Sequence, residues 1–132
     1  MKNMADHKVF ISYSQPDLEW ARGFADALRQ RGVGVWFDQF EITPGENLRD
    51  ALESGLRQSD VFVTLLNPKE SSRPALFFEL GAAIAMNKRV VAIVPKDVDA
   101  AQFPFELRLR KYLLRDSPEE TADELSQALA AA

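Results

Sequence analysis

The run from Ala75 to Met86 (ALFFELGAAIAM) is apolar at every position except Glu79. Helical spacing places Ala75, Leu76, Ala82 and Ala83 beside that carboxylate, and three of these four are alanine, so the space around it is open. A helix apolar on every face is normally buried. Burying an ionised carboxylate is costly unless it is partnered or has work to do. Pattern alone leaves both readings open: a structural glutamate paired with Arg73 or Arg89, or a working carboxylate.

The rest of the inventory narrows the chemistry by exclusion. There is no cysteine, and the one histidine is His7. Thiolate zinc sites, cysteine nucleophiles and disulfides are therefore excluded, and a histidine triad or multi-histidine metal site is not expected. With 16 basic against 20 acidic side chains, the net charge of -4 gives no cationic surface for phosphate backbones. The nearest basic cluster, Arg108, Arg110 and Lys111, reads as a solvated face, so no nucleic-acid partner is expected. The phosphate-loop patterns G-x-G-x-x-G and G-x-x-x-x-G-K-[ST] are absent, as is the G-x-S-x-G elbow of serine hydrolases. A phospho-receiver reading is weak, because Ser12-Tyr13-Ser14 and Asn67-Pro68 stand where acidic residues are needed and only Lys96 fits.

The elements that must position Glu79 alternate along the chain. Strand-like runs occur at Lys8 to Tyr13, Val33 to Phe37, Asp60 to Leu66 and Arg89 to Val94, with Tyr112 to Leu114 as a short edge strand. Between them, Ser14 is read as the cap of a first helix carrying Leu18, Ala21, Phe24, Ala25 and Leu28. A loop from Asp38 to Asn47 precedes a second helix, Pro74 opens a third, and Ser117-Pro118 starts the last. Strands alternating with helices imply βαβ units and a parallel, doubly wound sheet, with ligands at the C-terminal strand ends. The 132 residues are expected to form one domain, burying about 67% of the unfolded surface. No leader or spanning segment is read, so a cytoplasmic location without membrane contact is expected.

Five segments in order carry a family resemblance. Val9-Phe10-Ile11-Ser12-Tyr13-Ser14 with Asp17 resembles the opening box of Toll/interleukin-1 receptor (TIR) domains. Val35-Trp36-Phe37-Asp38 and Ile42 to Leu48 look like their second strand and the loop after it. Ser59 to Asn67, Phe77 to Ala83 and Val91 to Pro95 resemble the third strand, the glutamate segment of the third helix and the fourth strand. The style is that of bacterial members.

The resemblance implies a flavodoxin-like α/β fold with five parallel strands in the order 2-1-3-4-5 and helices on both faces. It implies NAD+ as substrate, cleaved at the nicotinamide–ribose bond to ADP-ribose or a cyclic isomer, with Glu79 in the catalytic position. Nicotinamide leaves as a neutral base and needs no general acid. The transition state needs stabilisation of an oxocarbenium-like ribose, which one carboxylate supplies, whereas O-glycosidases use two. Substrate-binding positions implied are Ser12, Tyr13, Ser14, Asp38 and Phe78, and the loop positions Ile42, Pro44, Gly45 and Asn47 form a lid or assembly surface. Neither a cofactor nor a metal is expected. The implied partners are other TIR domains through homo-oligomerisation, with a sensor domain or separate partner chain, in antiphage-type defence.

The chain departs from the catalytic pattern at Ala75, where NAD+-cleaving members often carry tryptophan, and at Ser14 and Gln15, where some carry arginine. Stacking must then come from Phe78, Trp36, Phe40 or a neighbouring protomer, so turnover is expected to wait on assembly. Two alternatives stay open: a non-enzymatic TIR–TIR interaction module, and an enzyme resembling nucleoside deoxyribosyltransferases.

Overall fold

A computed structural model describes residues 6–38, 43–66, 74–97 and 112–131, with backbone alone at 48–49 and 74–78. The elements are β1 (Lys8–Ser12), a 3-10 turn (Gln15–Asp17), α1 (Leu18–Gln30), β2 (Gly34–Trp36), α2 (Leu48–Gln58), β3 (Val61–Leu65), α3 (Pro74–Ala85), β4 (Arg89–Val94), β5 (Leu113–Leu114) and α4 (Pro118–Ala130). The strands lie in the order β2-β1-β3-β4-β5, and every pairing is parallel. The doubly wound arrangement is thus present, with strands one or two residues shorter than the apolar runs that signal them, except β4.

Alternation along the strands divides the core into two layers. Val9, Ile11, Val61, Val63 and Ile93 point toward α1 and α4, where they meet Phe24, Leu28, Leu125 and Leu129. Phe10, Trp36, Phe62, Val90 and Ala92 point the other way, toward Leu56 of α2 and Leu80 and Ala83 of α3. The central strands β3 and β4 are covered on both faces, which is why their sequences are almost continuously apolar. In the second layer Phe10 stacks on Trp36 (centroids 4.8 Å, planes 5° apart), and the indole lies against Gly55 of α2.

Two expectations are corrected. Ser14 does not cap α1: its hydroxyl bonds the Asp17 carboxylate at 3.2 Å, and a 3-10 turn with Pro16 in it intervenes before the α-helix. Asp17 is buried and its other oxygen is held by Arg115 Nη1 at 2.8 Å, so the serine has a charged partner to prefer over backbone amides. Second, α3 is not buried all round: Leu80 and Ala83 are, whereas Gly81, Ile84 and Ala85 are exposed. The helix lies on the outer face of the sheet, so one of its apolar sides meets solvent.

The lone histidine works at the opposite end of the sheet from Glu79. His7 Nδ1 lies 2.6 Å from Asp60 Oδ2, and Asp60 Oδ1 accepts from the Lys8 amide at 2.6 Å, tying the start of β1 to the start of β3. Among the described residues, no helix is long and apolar enough to cross a membrane.

Candidate functional site

The site is built where β1 ends. Ser12 is the last residue of β1, 2% exposed, and its side chain shares the face of Phe10, toward α3. Its hydroxyl donates to Glu79 Oε1 at 2.9 Å. Glu79 is mid-way along α3 and half-buried, with Leu80 and Ala83 of the same helix turned into the core. The bond therefore reaches from the end of β1, a neighbour of β3 in the sheet, to the helix of the crossover from β3 to β4. In the 2-1-3 order the border of β1 and β3 is the switch point, where crossovers leave in opposite directions and open a crevice.

A second pair lies beside it. Tyr13 OH donates to Asp38 Oδ1 at 2.6 Å, and the ring packs on Phe37 with centroids 5.2 Å apart. Asp38 follows β2 by two residues, so this bond fixes the exit of β2 against the exit of β1. Ser14 takes part in a third grouping, with Asp17 and Arg115, whose guanidinium also sits 4.8 Å over Trp20. Among the described residues, the hydroxyls of Ser12, Tyr13 and Ser14 thus donate to three different carboxylates, Glu79, Asp38 and Asp17.

The loop positions divide in the same way. Pro44, Gly45 and Asn47 are exposed, and Gly45 has φ +90°, a left-handed conformation that favours glycine. Glu46 Oε1 accepts from the Thr43 amide (3.0 Å) and the Thr43 hydroxyl (2.8 Å), and these bonds hold its carboxyl below the ordinary range. Asn47 Oδ1 caps α2 by accepting from the Asp50 amide at 3.1 Å. The loop's end is therefore a formed turn, beside a hollow of about 450 Å³ that it shares with Trp36 and α2. Ile42, Phe40, Arg73 and the Phe78 side chain lie outside the described residues, as do segments 67–73 and 98–111. Among the described residues, no group of three or more His, Cys, Asp or Glu side chains is placed to hold a metal.

Two participants were not singled out by sequence reasoning. Arg115 is sequence-distant from the Asp17 it neutralises, and nothing local marks it. Thr64 sits inside the β3 run, where threonine reads as one more β-branched strand residue.

The chain matches the family described as TIR domain over residues 9–129, and it belongs to that family. It is 33% identical over 81 residues to the "2' cyclic ADP-D-ribose synthase AbTIR" of Acinetobacter baumannii, covering 61% of this chain and 30% of that protein. It is 34% identical over 62 residues to the "NAD(+) hydrolase PdTIR" of Paracoccus denitrificans, covering 46% of this chain and 21% of that one. The chain thus spans less than a third of these relatives. Its fold is similar to that of a metazoan TIR-STING receptor from C. gigas, with a TM-score of 0.79 at 21% identity, covering 98% of this chain and 41% of that one.

Proposed function

We propose that this TIR domain cleaves NAD+ at the nicotinamide–ribose bond, with Glu79 as its catalytic carboxylate and no cofactor. The observation that carries the reading is the Ser12–Glu79 hydrogen bond, which presents a half-buried carboxylate at the crevice of a TIR fold. The names of the bacterial relatives support the reaction class. A carboxylate at this place stabilises the positive charge that develops on the ribose as nicotinamide departs neutral, and it grips a ribose hydroxyl. Ser12 orients it. Tyr13 and Asp38 shape the neighbouring wall, and Phe78, one residue before Glu79, supplies stacking surface. Turnover is switched on by self-assembly, which brings a second copy to the Thr43–Asn47 turn; the trigger is a sensor in the same protein or a separate chain.

The test incubates NAD+ with concentrated and artificially clustered protein and follows nicotinamide, ADP-ribose and cyclic products by chromatography. Loss of a charge that acts only in the transition state lowers turnover by about 10²–10³-fold, so Glu79→Gln and Glu79→Ala fall by that order. Release by Glu79→Gln at the parent's rate would overturn the assignment. A second reading, an interaction module without turnover, is favoured by Ala75 in place of an aromatic stacking residue. It is selected if clustered protein releases nothing and self-association is lost on Pro44→Ala.

A further inference from the structure

One hydroxyl lies on the strand next to Glu79's anchor. Thr64 is 0% exposed, and its Oγ1 has no hydrogen-bond partner among the described residues. The parallel register sets Thr64 directly between Ser12 on β1 and Ala92 on β4. Its face is fixed by Phe62 and Leu66, two residues to either side, which both pack in the layer beneath α2 and α3. In-register residues on neighbouring strands lie about 4.8 Å apart. The row preceding it along the same strands is Phe10, Phe62 and Val90. Ser12 and Thr64 are therefore two adjacent hydroxyls on a face that is otherwise apolar, and the first of them holds Glu79.

A buried hydroxyl without a partner is less favourable than a methyl of the same shape, so packing alone calls for valine here. Its persistence beside a half-buried carboxylate on a flexible side chain calls for another explanation. We propose that Thr64 is a positioning residue for Glu79: its hydroxyl is a second seat to which the carboxylate moves when the Ser12 hydroxyl is taken by a ligand. The inference rests on Glu79 being the working carboxylate. With two donors one strand apart, the charged oxygen keeps a short hydrogen bond while Ser12 is free to meet a ribose hydroxyl. The ligand class that fits is a ribosylated cation, since a pentose hydroxyl must replace the Ser12 contact and the carboxylate must face positive charge.

A double-mutant cycle on Ser12→Ala and Thr64→Val tests this, read by ¹³C-NMR titration of the Glu79 carboxyl and by nicotinamide release from clustered protein. Thr64→Val alone keeps the parent's thermal stability or exceeds it. Ser12→Ala alone shifts the carboxyl little, because Thr64 takes over as donor. In the double variant the carboxyl rises by about one pH unit beyond the sum of the singles, as expected when a carboxylate loses both of these hydroxyl donors. Release falls about tenfold beyond the product of the singles. Thr64→Ser in the Ser12→Ala background restores both. Additive shifts, or equal titration of Thr64→Val and Thr64→Ser beside Ser12→Ala, overturn the second seat. The titration needs no NAD+, so a parent that releases no nicotinamide sinks the proposed function while the cycle still judges Thr64. If Ser12→Ala/Thr64→Val does not fold, Thr64→Ala in place of Thr64→Val decides the same question.

Discussion

Gly55 has no room for a side chain: a methyl group there would be driven into the indole of Trp36, which is 5% exposed and stacked on Phe10. Gly55→Ala is expected to cost about 1–3 kcal/mol through the forced shift of that stack, seen as a lower Tm. Gly81, exposed on α3 with nothing within 4 Å of its missing Cβ, is the matched control. Gly81→Ala is expected to add about 0.5–1 kcal/mol by removing backbone freedom from the unfolded chain. Equal Tm values for the two variants would contradict the packing described. At this scale the sequence made Glu79 visible, because one charge in an apolar helix stands out on composition alone. Its partner was not: Ser12 was expected to meet substrate and Arg73 or Arg89 to pair with the glutamate, because a contact across 67 residues leaves no local mark. Thr64 was invisible, because what distinguishes it is its place between two strands, and register is not written in either strand by itself.

Among the elements, local signals worked where the local backbone had no competitor. Ser117 starts α4 as its spacing indicates, and Asn47, read only as the end of a loop, caps α2 in the same way, each accepting from the amide three residues on. Ser14 has the same spacing but ends at Asp17, because Arg115 brings a charge that the local pattern does not contain. The exposed side of α3 was misread for a related reason: apolarity all round normally signals burial, and the layer above the helix is missing among the described residues. The turn at Thr43 gives a pH test of its own. Glu46 is held below its ordinary value of 4.5, first by the Thr43 amide and then by the Thr43 hydroxyl. A depressed folded value means the contact is fully present above 4.5 and is lost as the pH falls through the lower value. The Thr43 amide resonance is therefore expected to titrate with a midpoint under 4.5, and to cease titrating in Glu46→Gln. A midpoint at or above the ordinary value would show that the turn is not held in this way.

For the molecule as a whole, the sheet is tied at both ends of its strands by polar side chains. His7 and Asp60 join β1 to β3 at one end, and Arg115 with Asp17 joins the C-terminal segment to the start of the first crossover at the other. The parallel crossovers were legible because strand-like runs alternate with helical segments, whereas the strand order came from the family resemblance. The two outer strands were legible only as fragments, and their brevity has a consequence. β2 has three residues and β5 two, so each border of the sheet offers a neighbour very few backbone hydrogen bonds. Copies of this domain that gather must then meet through helices and turns, leaving each sheet as it is in the single copy. Infrared spectra of clustered protein are expected to lack any new intermolecular β band in the amide I region, and the gain of one on clustering would contradict this. Open borders on a parallel sheet invite irreversible stacking into fibrils, and two stunted ones leave crowded copies of this domain free to come apart again.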